Sequence, residues 1–374
     1  MQDFGGSAVG APQEVVRPTS AGEVASTLLR ADGRTPVVPR GRGHSTDGRS
    51  LTGGISIDMR GLATVHEVRD AGVSVDAGAT WREVLEATLP HGLTPPVLTD
   101  YLDLTVGGTL SAGGVGGTSH VHGTQAGNVA ELEVVTRDGR IARCSPSLDR
   151  RLFDAVRGGS GRHGIITRAV LRLVPAPRDV LVCTVPCQDA TALLRVQTTA
   201  PADHLSGQAK PSETGWRYEA KAVLFDGKEP PRGLGPSEVE TATYREFADR
   251  MTPDVDELIA LGEWRRPHPW AIAFLPGRVA AGFIESTLAA MEPGDIGLSG
   301  VVLVKALKGT GDTGTPGLAN VADPVQFGLL RTASPGCPSP AAMASANERF
   351  HERARAAGGV PYPAPVGGQS GQTG

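Results

Sequence analysis

The chain has 374 residues and a formal net charge of −4, long enough for about two or three domains and without the positive charge that would speak for nucleic acid or an anionic membrane surface. Glycine (50) and proline (29) are abundant, which implies many turns, but an apolar fraction of 39% supports packed cores and excludes wholesale disorder. No apolar run reaches about eighteen residues, so no membrane span is expected. Met1–Gly6 has no basic segment followed by an apolar core, so no signal peptide is expected and the simplest location is the cytoplasm.

In chain order, Ser20 with Glu23 is a capping-box pattern at a helix start. Pro36-Val37-Val38-Pro39 reads as a short buried strand. It runs into Arg40-Gly41-Arg42-Gly43-His44-Ser45. Glycines let a backbone approach a ligand closely, successive N–H groups in such a turn form an anion-binding concavity, and arginines add positive charge. That chemistry suits a pyrophosphate, with His44 beside whatever the phosphates belong to. A basic surface turn with a solvated histidine explains the same residues equally well, because short Gly-rich matches are weak signals.

Ile55–Met59 and Val73–Ala77 alternate and predict half-buried strands, and Thr80 with Glu83 is a second capping box before Val84, Leu85 and Leu89. This order fits a mixed α+β domain better than a nucleotide-binding βαβ fold. Leu104–Gly117 holds six glycines, too many for a stable helix or central strand. Such density suits a backbone lying against a flat or extended ligand, and Leu104, Val106, Leu110 and Val115 speak against a mobile linker. No G-x-G-x-x-G opens a helix after a strand, so a Rossmann site is not indicated.

Asp138-Gly139 between Leu132–Arg137 and Ile141–Arg143 predicts a hairpin. Leu152–Val156 predicts a short helix and Gly164–Val174 a long strand, ended by Pro175 and Pro177, where a domain boundary is expected. Beyond it, Ser237–Arg250, Val255–Leu261, Val279–Met291 and Ala341–Ala357 read as helices. Ala271–Leu275, Val301–Val304 and Gln326–Leu330 read as strands, giving a sheet covered by helices. The Gly/Pro/Gln/Ser-rich tail 361–374 is expected to be disordered. Cys144, Cys183, Cys187 and Cys337 show no zinc spacing, and His120 with His122 lacks a third ligand, so no metal is expected.

Three segments together resemble one family. Gly41-Arg42-Gly43-His44-Ser45, the stretch from Thr99-Asp100-Tyr101 through Val106-Gly107-Gly108-Thr109-Leu110-Ser111, and Gly164–Ala169 look like the cytokinin dehydrogenases, of the vanillyl-alcohol-oxidase type of FAD-linked oxidases. Gly215–Tyr218 and Trp264-Arg265-Arg266-Pro267-His268-Pro269-Trp270 extend the likeness to roughly Pro12–Tyr362. The resemblance implies an α+β fold. Residues 1–178 would form a PCMH-type FAD-binding domain of two subdomains, and 179–360 a substrate domain whose antiparallel sheet caps the isoalloxazine.

It implies FAD bonded covalently through His44 to a methyl group of the flavin's benzenoid ring. Gly41, Arg42, Gly43, Ser45, Arg49, Thr105, Ser111, Val115 and Ile166 lie where the family contacts FAD. Asp100 matches the active-site aspartate, a proton acceptor or amine-orienting group in C–N oxidation; taken alone it would serve a turn. Asp103 is left as surface, and Trp270 is expected to pack more than to line a cavity. The expected substrates are N6-substituted adenines, with oxygen or a quinone as electron acceptor. Rival readings are an oxidase of an alcohol, sugar or secondary metabolite, and a degenerate flavin-binding protein. The last is motivated by a C-terminal Pro-Gly-Gln segment that the family carries past its final helix and that this chain replaces with its low-complexity tail.

Overall fold

The structure is a computed structural model that describes residues 1–363 except 7, 32, 70–71, 214, 308–313 and 316. The expected disorder of the tail falls, from residue 364 onward, outside the described residues.

The chain opens with β1 (Glu14–Val16), α1 (Ala21–Arg30), β2 (Val37–Arg40) and β3 (Ile55–Asp58), and the three strands form a parallel sheet in the order β1-β3-β2. That order reverses two burial expectations. Val37 and Val38 are half-buried on an edge strand, whereas Ile55, Ser56 and Ile57 are buried in the middle one. A strand flanked on both edges and covered on both faces does not reveal itself by alternation. At α1, Ser20 Oγ accepts the Glu23 N–H (3.2 Å), but the Glu23 carboxylate reaches back to the Thr19 N–H, so the box closes one residue early.

There follow β4 (Val65–Arg69), β5 (Gly72–Asp76), α2 (Trp81–Thr88), β6 (Leu93–Thr94), α3 (Val106–Ala112) and α4 (Ser119–His122). Next come β7 (Val129–Val135), β8 (Ile141–Cys144), α5 (Arg150–Val156), β9 (Ile165–Arg172) and β10 (Val174–Pro175). A five-stranded antiparallel sheet runs β4-β5-β9-β7-β8, and β6 pairs with β10. Thr80 and Glu83 make a complete capping box at α2, and Gly139 closes the β7–β8 hairpin at φ +77°.

The glycine-dense stretch forms a helix after all. α3 buries Val106, Thr109 and Leu110 completely or nearly so, while its glycines let it sit on the end of β5. A Cβ on Gly107 would stand 2.7 Å from the Ala77 Cβ. Burial of one apolar face outweighs the low helix propensity of glycine, about 1 kcal/mol per residue.

The second half contains β11 (Asp179–Cys187), α6 (Ala190–Thr199), β12 (His204–Ser212), β13 (Gly215–Phe225), β14 (Glu238–Thr243), α7 (Tyr244–Ala248) and α8 (Met251–Ala260). It ends with β15 (Ala271–Leu275), α9 (Gly277–Ala289), β16 (Val301–Ala306), β17 (Val325–Leu330), α10 (Pro340–Ala356) and β18 (Val360–Pro361). Its strands form one eight-stranded antiparallel sheet, β14-β11-β13-β12-β16-β17-β15-β18. The expected helix from Ser237 is instead the edge strand β14 followed by α7. β14 is largely exposed and carries Glu238 and Glu240, and charge on an edge strand discourages further pairing.

α6, α9 and α10 cover one face of this sheet over a core that includes Leu193, Phe283, Ile284, Phe327 and Phe350. Val180, Val182, Val223, Tyr244 and Phe247 instead join the buried cluster of β5, β7 and β9. The sheet changes at Pro175–Pro177, but the core continues across. The architecture is α+β with large antiparallel sheets. Pro361 is part of β18, and Tyr362 beyond it donates its N–H to the Ile272 carbonyl (2.8 Å). The four cysteines are free thiols.

Candidate active site

The two glycine-rich segments meet. A Cβ on Gly41 would lie 2.2 Å from Thr105 Oγ1, so the loop after β2 is laid directly on the start of α3. α3 is pinned below by Val106 N–H to the Ala79 carbonyl and Gly107 N–H to the Ala77 carbonyl, both 2.8 Å. Along the loop, Ser45 and Ser50 share a hydrogen bond (2.6 Å) and Arg40 donates to Ser50 Oγ (3.1 Å). Arg49 pairs with Asp47 and donates to Ser160 Oγ (3.1 Å), and the Ser160 N–H donates to the Ser111 carbonyl (2.8 Å). Gly41, Arg42, Gly43, His44, Ser45, Arg49, Thr105 and Ser111 therefore border one strip. Val115 and Ile166 do not present side chains to it. Ile166 is spent in the main core, and Val115 packs with Phe274, Leu307 and Leu318.

His44 is walled by aromatic rings. Phe4 lies 4.9 Å, Tyr101 5.2 Å and Trp264 6.0 Å away between ring centroids. Phe4 also stacks on His268 (3.9 Å) and meets Trp270 edge-on (5.4 Å). The backbone holds the ring there, with Phe4 N–H to the Gly43 carbonyl and His268 N–H to the Phe4 carbonyl, both 3.0 Å. The Trp264–Trp270 segment is thus brought onto the Gly41–Ser45 loop from far along the sequence.

Burial pushes the His44 pKa down to about 4, and Arg42 and His268 act in the same direction, so the imidazole is neutral. Both its nitrogens, His268 Nδ1 and Trp270 Nε1 are buried without hydrogen-bond partners among the described residues. Buried polar atoms are ordinarily satisfied, and four orphans around one phenyl ring mark a place built for something else. The residues fit a flavin. A neutral imidazole carries the free lone pair that a bond to a ring methyl requires, and aromatic walls suit a flat heteroaromatic ring.

Asp100 sits next in the chain to Tyr101 and is held by two cations. Arg250 donates to one carboxylate oxygen (2.5 Å) and Lys305 Nζ to the other (2.6 Å). Burial alone would raise its pKa, but Lys305 and Arg250 outweigh that and hold the carboxyl well below the usual range. His204 lies close enough to feel all three charges. Burial is the main cause that drives its pKa well below 6.5, so it too is neutral.

Asp103 is no surface residue. Arg82 clamps it in two hydrogen bonds (3.0 and 2.9 Å), Arg42 stands 3.8 Å away, and Arg82 also pairs with Asp249 (2.8 Å). Trp270 packs edge-on against the Phe4 and His268 rings.

Phe4, Arg250, Lys305, His204 and Tyr362 escape sequence reasoning. Lys305 gives the clearest sign, a lone charge at the end of Val301-Val302-Leu303-Val304. Tyr362 accepts the Gly114 N–H (3.0 Å) and so ties the end of the described residues to the loop after α3. His120 spends both ring nitrogens on the Gly117 and Ala202 carbonyls, 2.9 Å each, and no cluster of three or more metal-ligating side chains exists among the described residues. An open cleft on the outer face of the five-stranded sheet, lined by His66, Glu131, Glu133, Arg143 and Arg168, lies away from all these groups and carries mixed charge. No helix among the described residues is long and apolar enough to cross a membrane.

Residues 12–145 match the FAD binding domain family. The protein called "Uncharacterized oxidoreductase ORF5 in fasciation locus" from Rhodococcoides fascians is 36% identical over 380 residues, covering 96% of this chain and 86% of that protein. Cytokinin dehydrogenase 7 of Oryza sativa subsp. japonica is 35% identical over 336 residues (73% and 64%), and cytokinin dehydrogenase 4 of Arabidopsis thaliana 32% over 366 (80% and 70%). The chain thus spans just under two thirds of the length of the rice relative. With more than a third of its residues shared with a relative matched over nearly its full length, and with the FAD-binding domain in place, the chain belongs to the cytokinin dehydrogenase-like FAD-linked oxidoreductases.

Proposed function

We propose that this protein carries FAD bonded through His44 and oxidises the bond between N6 and the alkyl substituent of an N6-substituted adenine, or the corresponding C–N bond of a closely related secondary amine. The observation that carries the reading is the buried, neutral, unpartnered His44 imidazole, one ring away from the Asp100 loop. When bound, the flavin supplies a two-electron acceptor for the hydride on the carbon next to nitrogen. The N–H proton leaves as the imine forms, water then hydrolyses the imine to the amine and an aldehyde, and oxygen or a quinone takes up the electrons.

The protein's own residues bind and orient. Gly41–Ser45 and Thr105–Ser111 offer backbone and hydroxyl groups along one strip, and Arg42 and Arg49 add charge for a pyrophosphate. Asp100, held well below the usual carboxylate range, is a weak base. Its part is to accept the substrate N–H and aim the adjacent C–H, which refines the proton-acceptor expectation. Trp264 and Trp270 shield the reacting region from water.

Acid-precipitated protein is expected to retain yellow flavin fluorescence, and His44→Ala to lose it. Isopentenyladenine added without oxygen is expected to bleach the flavin. A colourless protein that takes up no FAD would sink the reading.

A further inference from the structure

His44 is aimed by rings, not by hydrogen bonds. A histidine ordinarily takes its orientation and tautomer from a partner on one ring nitrogen, and neither His44 nitrogen has one among the described residues. The residue as a whole is only partly buried, yet both nitrogens are sealed from water. What fixes the imidazole is therefore contact with Phe4, Tyr101 and Trp264.

Of these three, Phe4 is locked to both sides of the site. Its N–H donates to the Gly43 carbonyl, next in the chain to His44, and its carbonyl accepts the His268 N–H, both 3.0 Å. Its neighbours are tied down as well. The Asp3 carboxylate accepts the Gly48 N–H (2.7 Å) and the Gly6 N–H (3.0 Å), and Arg40 donates to the Gln2 carbonyl (2.7 Å). A Cβ on Gly5 would stand 2.2 Å from the Thr46 carbonyl oxygen, and one on Gly6 2.7 Å from the Pro267 Cβ. Residues 2–6 thus lie pressed between the loop that carries His44 and the Trp264–Trp270 segment. The Phe4 ring stacks on His268 at 3.9 Å, 11° from parallel, and its other contacts include His44 at 4.9 Å.

We propose that Phe4 is a positioning residue for flavin attachment, its ring keeping the His44 imidazole dry and in one orientation with a lone pair free for the flavin methyl group. This rests on the proposed covalent link for the bond that forms; the drying of His44 stands apart from it. Attachment exchanges one methyl C–H and the imidazole N–H for a C–N bond. The two protons and two electrons released pass to the oxygen or quinone that accepts electrons in turnover. A hydrated, freely turning imidazole presents its lone pair in the right place less of the time. Arg42, His268 and Arg40 also disfavour its cation and Asp103 favours it, and these charges stay in place when only Phe4 is changed.

The test supplies saturating FAD to flavin-free protein made in riboflavin-starved cells, and follows acid-stable flavin with time. Folding is checked by circular dichroism. Phe4→Ala is expected to attach flavin about tenfold or more slowly than the parent, and Phe4→Tyr within about threefold of it. The deficit of Phe4→Ala is expected to be larger at pH 6 than at pH 8. In the flavin-free protein, NMR of the histidine rings, assigned with His44→Ala, is expected to show the His44 pKa rising from about 4 toward 6.5 in Phe4→Ala. If Phe4→Ala does not fold, Phe4→Leu, which keeps apolar volume but not the flat ring, carries the same rate comparison.

A folded variant that attaches flavin at the parental rate overturns the proposal, and so does a faster one, which would make Phe4 a plug. If neither variant folds, Phe4 is a requirement of the fold and the positioning role falls. If the parent forms no acid-stable flavin, the covalent reading fails, and the His44 pKa then decides. A rise in Phe4→Ala keeps the drying role of Phe4, and an unchanged value overturns it too.

Discussion

Asp100→Asn tests whether the carboxylate is the electrostatic keystone of the site. The substitution keeps shape but leaves Lys305 and Arg250 facing each other with no anion between them. Removing one partner of a fully buried pair costs about 3–5 kcal/mol, and exposed pairs are worth about 0–1. Asp100 is 31% exposed and Lys305 3%, so the expected loss is intermediate, about 2–3 kcal/mol. For a protein this long that lowers the melting temperature by about 4–6 °C at roughly 2 °C per kcal/mol. Lys305→Met leaves a balanced Asp100–Arg250 pair and is expected to cost less than about 1 kcal/mol, although it removes the more deeply buried group. Differential scanning calorimetry of the two variants decides. If Asp100→Asn melts within about 1 °C of the parent, or Lys305→Met is the more damaging, the charge imbalance is not real. The sign of the pH dependence follows from the same geometry. The folded carboxyl lies below its unfolded value of about 3.9, so its contribution is present above that pH and is lost only as pH falls further.

Three histidines make an earlier acid transition. His44 and His268 are held at about 4 by burial, and His204 well below 6.5. Between about pH 6.5 and 4 the unfolded chain binds more protons, so stability of the flavin-free protein falls as pH drops, by up to about 4 kcal/mol per pH unit if all three take part. Urea midpoints that stay constant from pH 7 to 5 would contradict this. Two helical glycines are expected to respond oppositely to alanine. Gly107→Ala presses a methyl to 2.7 Å from the Ala77 Cβ and is expected to destabilise by about 1–3 kcal/mol, whereas Gly282, in α9 with open space around it, is expected to gain about 0.5–1 on replacement, both read by urea denaturation. Tyr362→Phe removes the acceptor of the Gly114 N–H and is expected to cost about 1 kcal/mol in the same assay, with faster backbone hydrogen exchange at Gly114.

What could be read from the sequence was local. Capping residues, the Asp138-Gly139 turn and the alternating strands each report on neighbours a few residues away, and they placed most elements of the first half. Failures arose where distant parts of the molecule decide. β3 is buried because β1 and β2 flank it, and α3 is helical because Ala77 and the core accept it despite its glycines. β14 is a strand because β11 offers an edge. The site follows the same division. His44 and Asp100 stood out through motif resemblance, but their chemistry is set by Phe4 from near the first residue, Trp264 and His268 from the second half, and Arg250 and Lys305 from opposite sides of Asp100. A histidine motif alone does not say whether the ring is solvated or neutral and orphaned; the aromatic wall decides it. Likewise an aspartate motif names a carboxylate, and only its two cationic partners show that it is too acidic to be a strong base. The family likeness therefore argues for flavin chemistry, while the two cations that set the acidity of Asp100, Arg250 and Lys305, lie outside the motifs that carry the likeness.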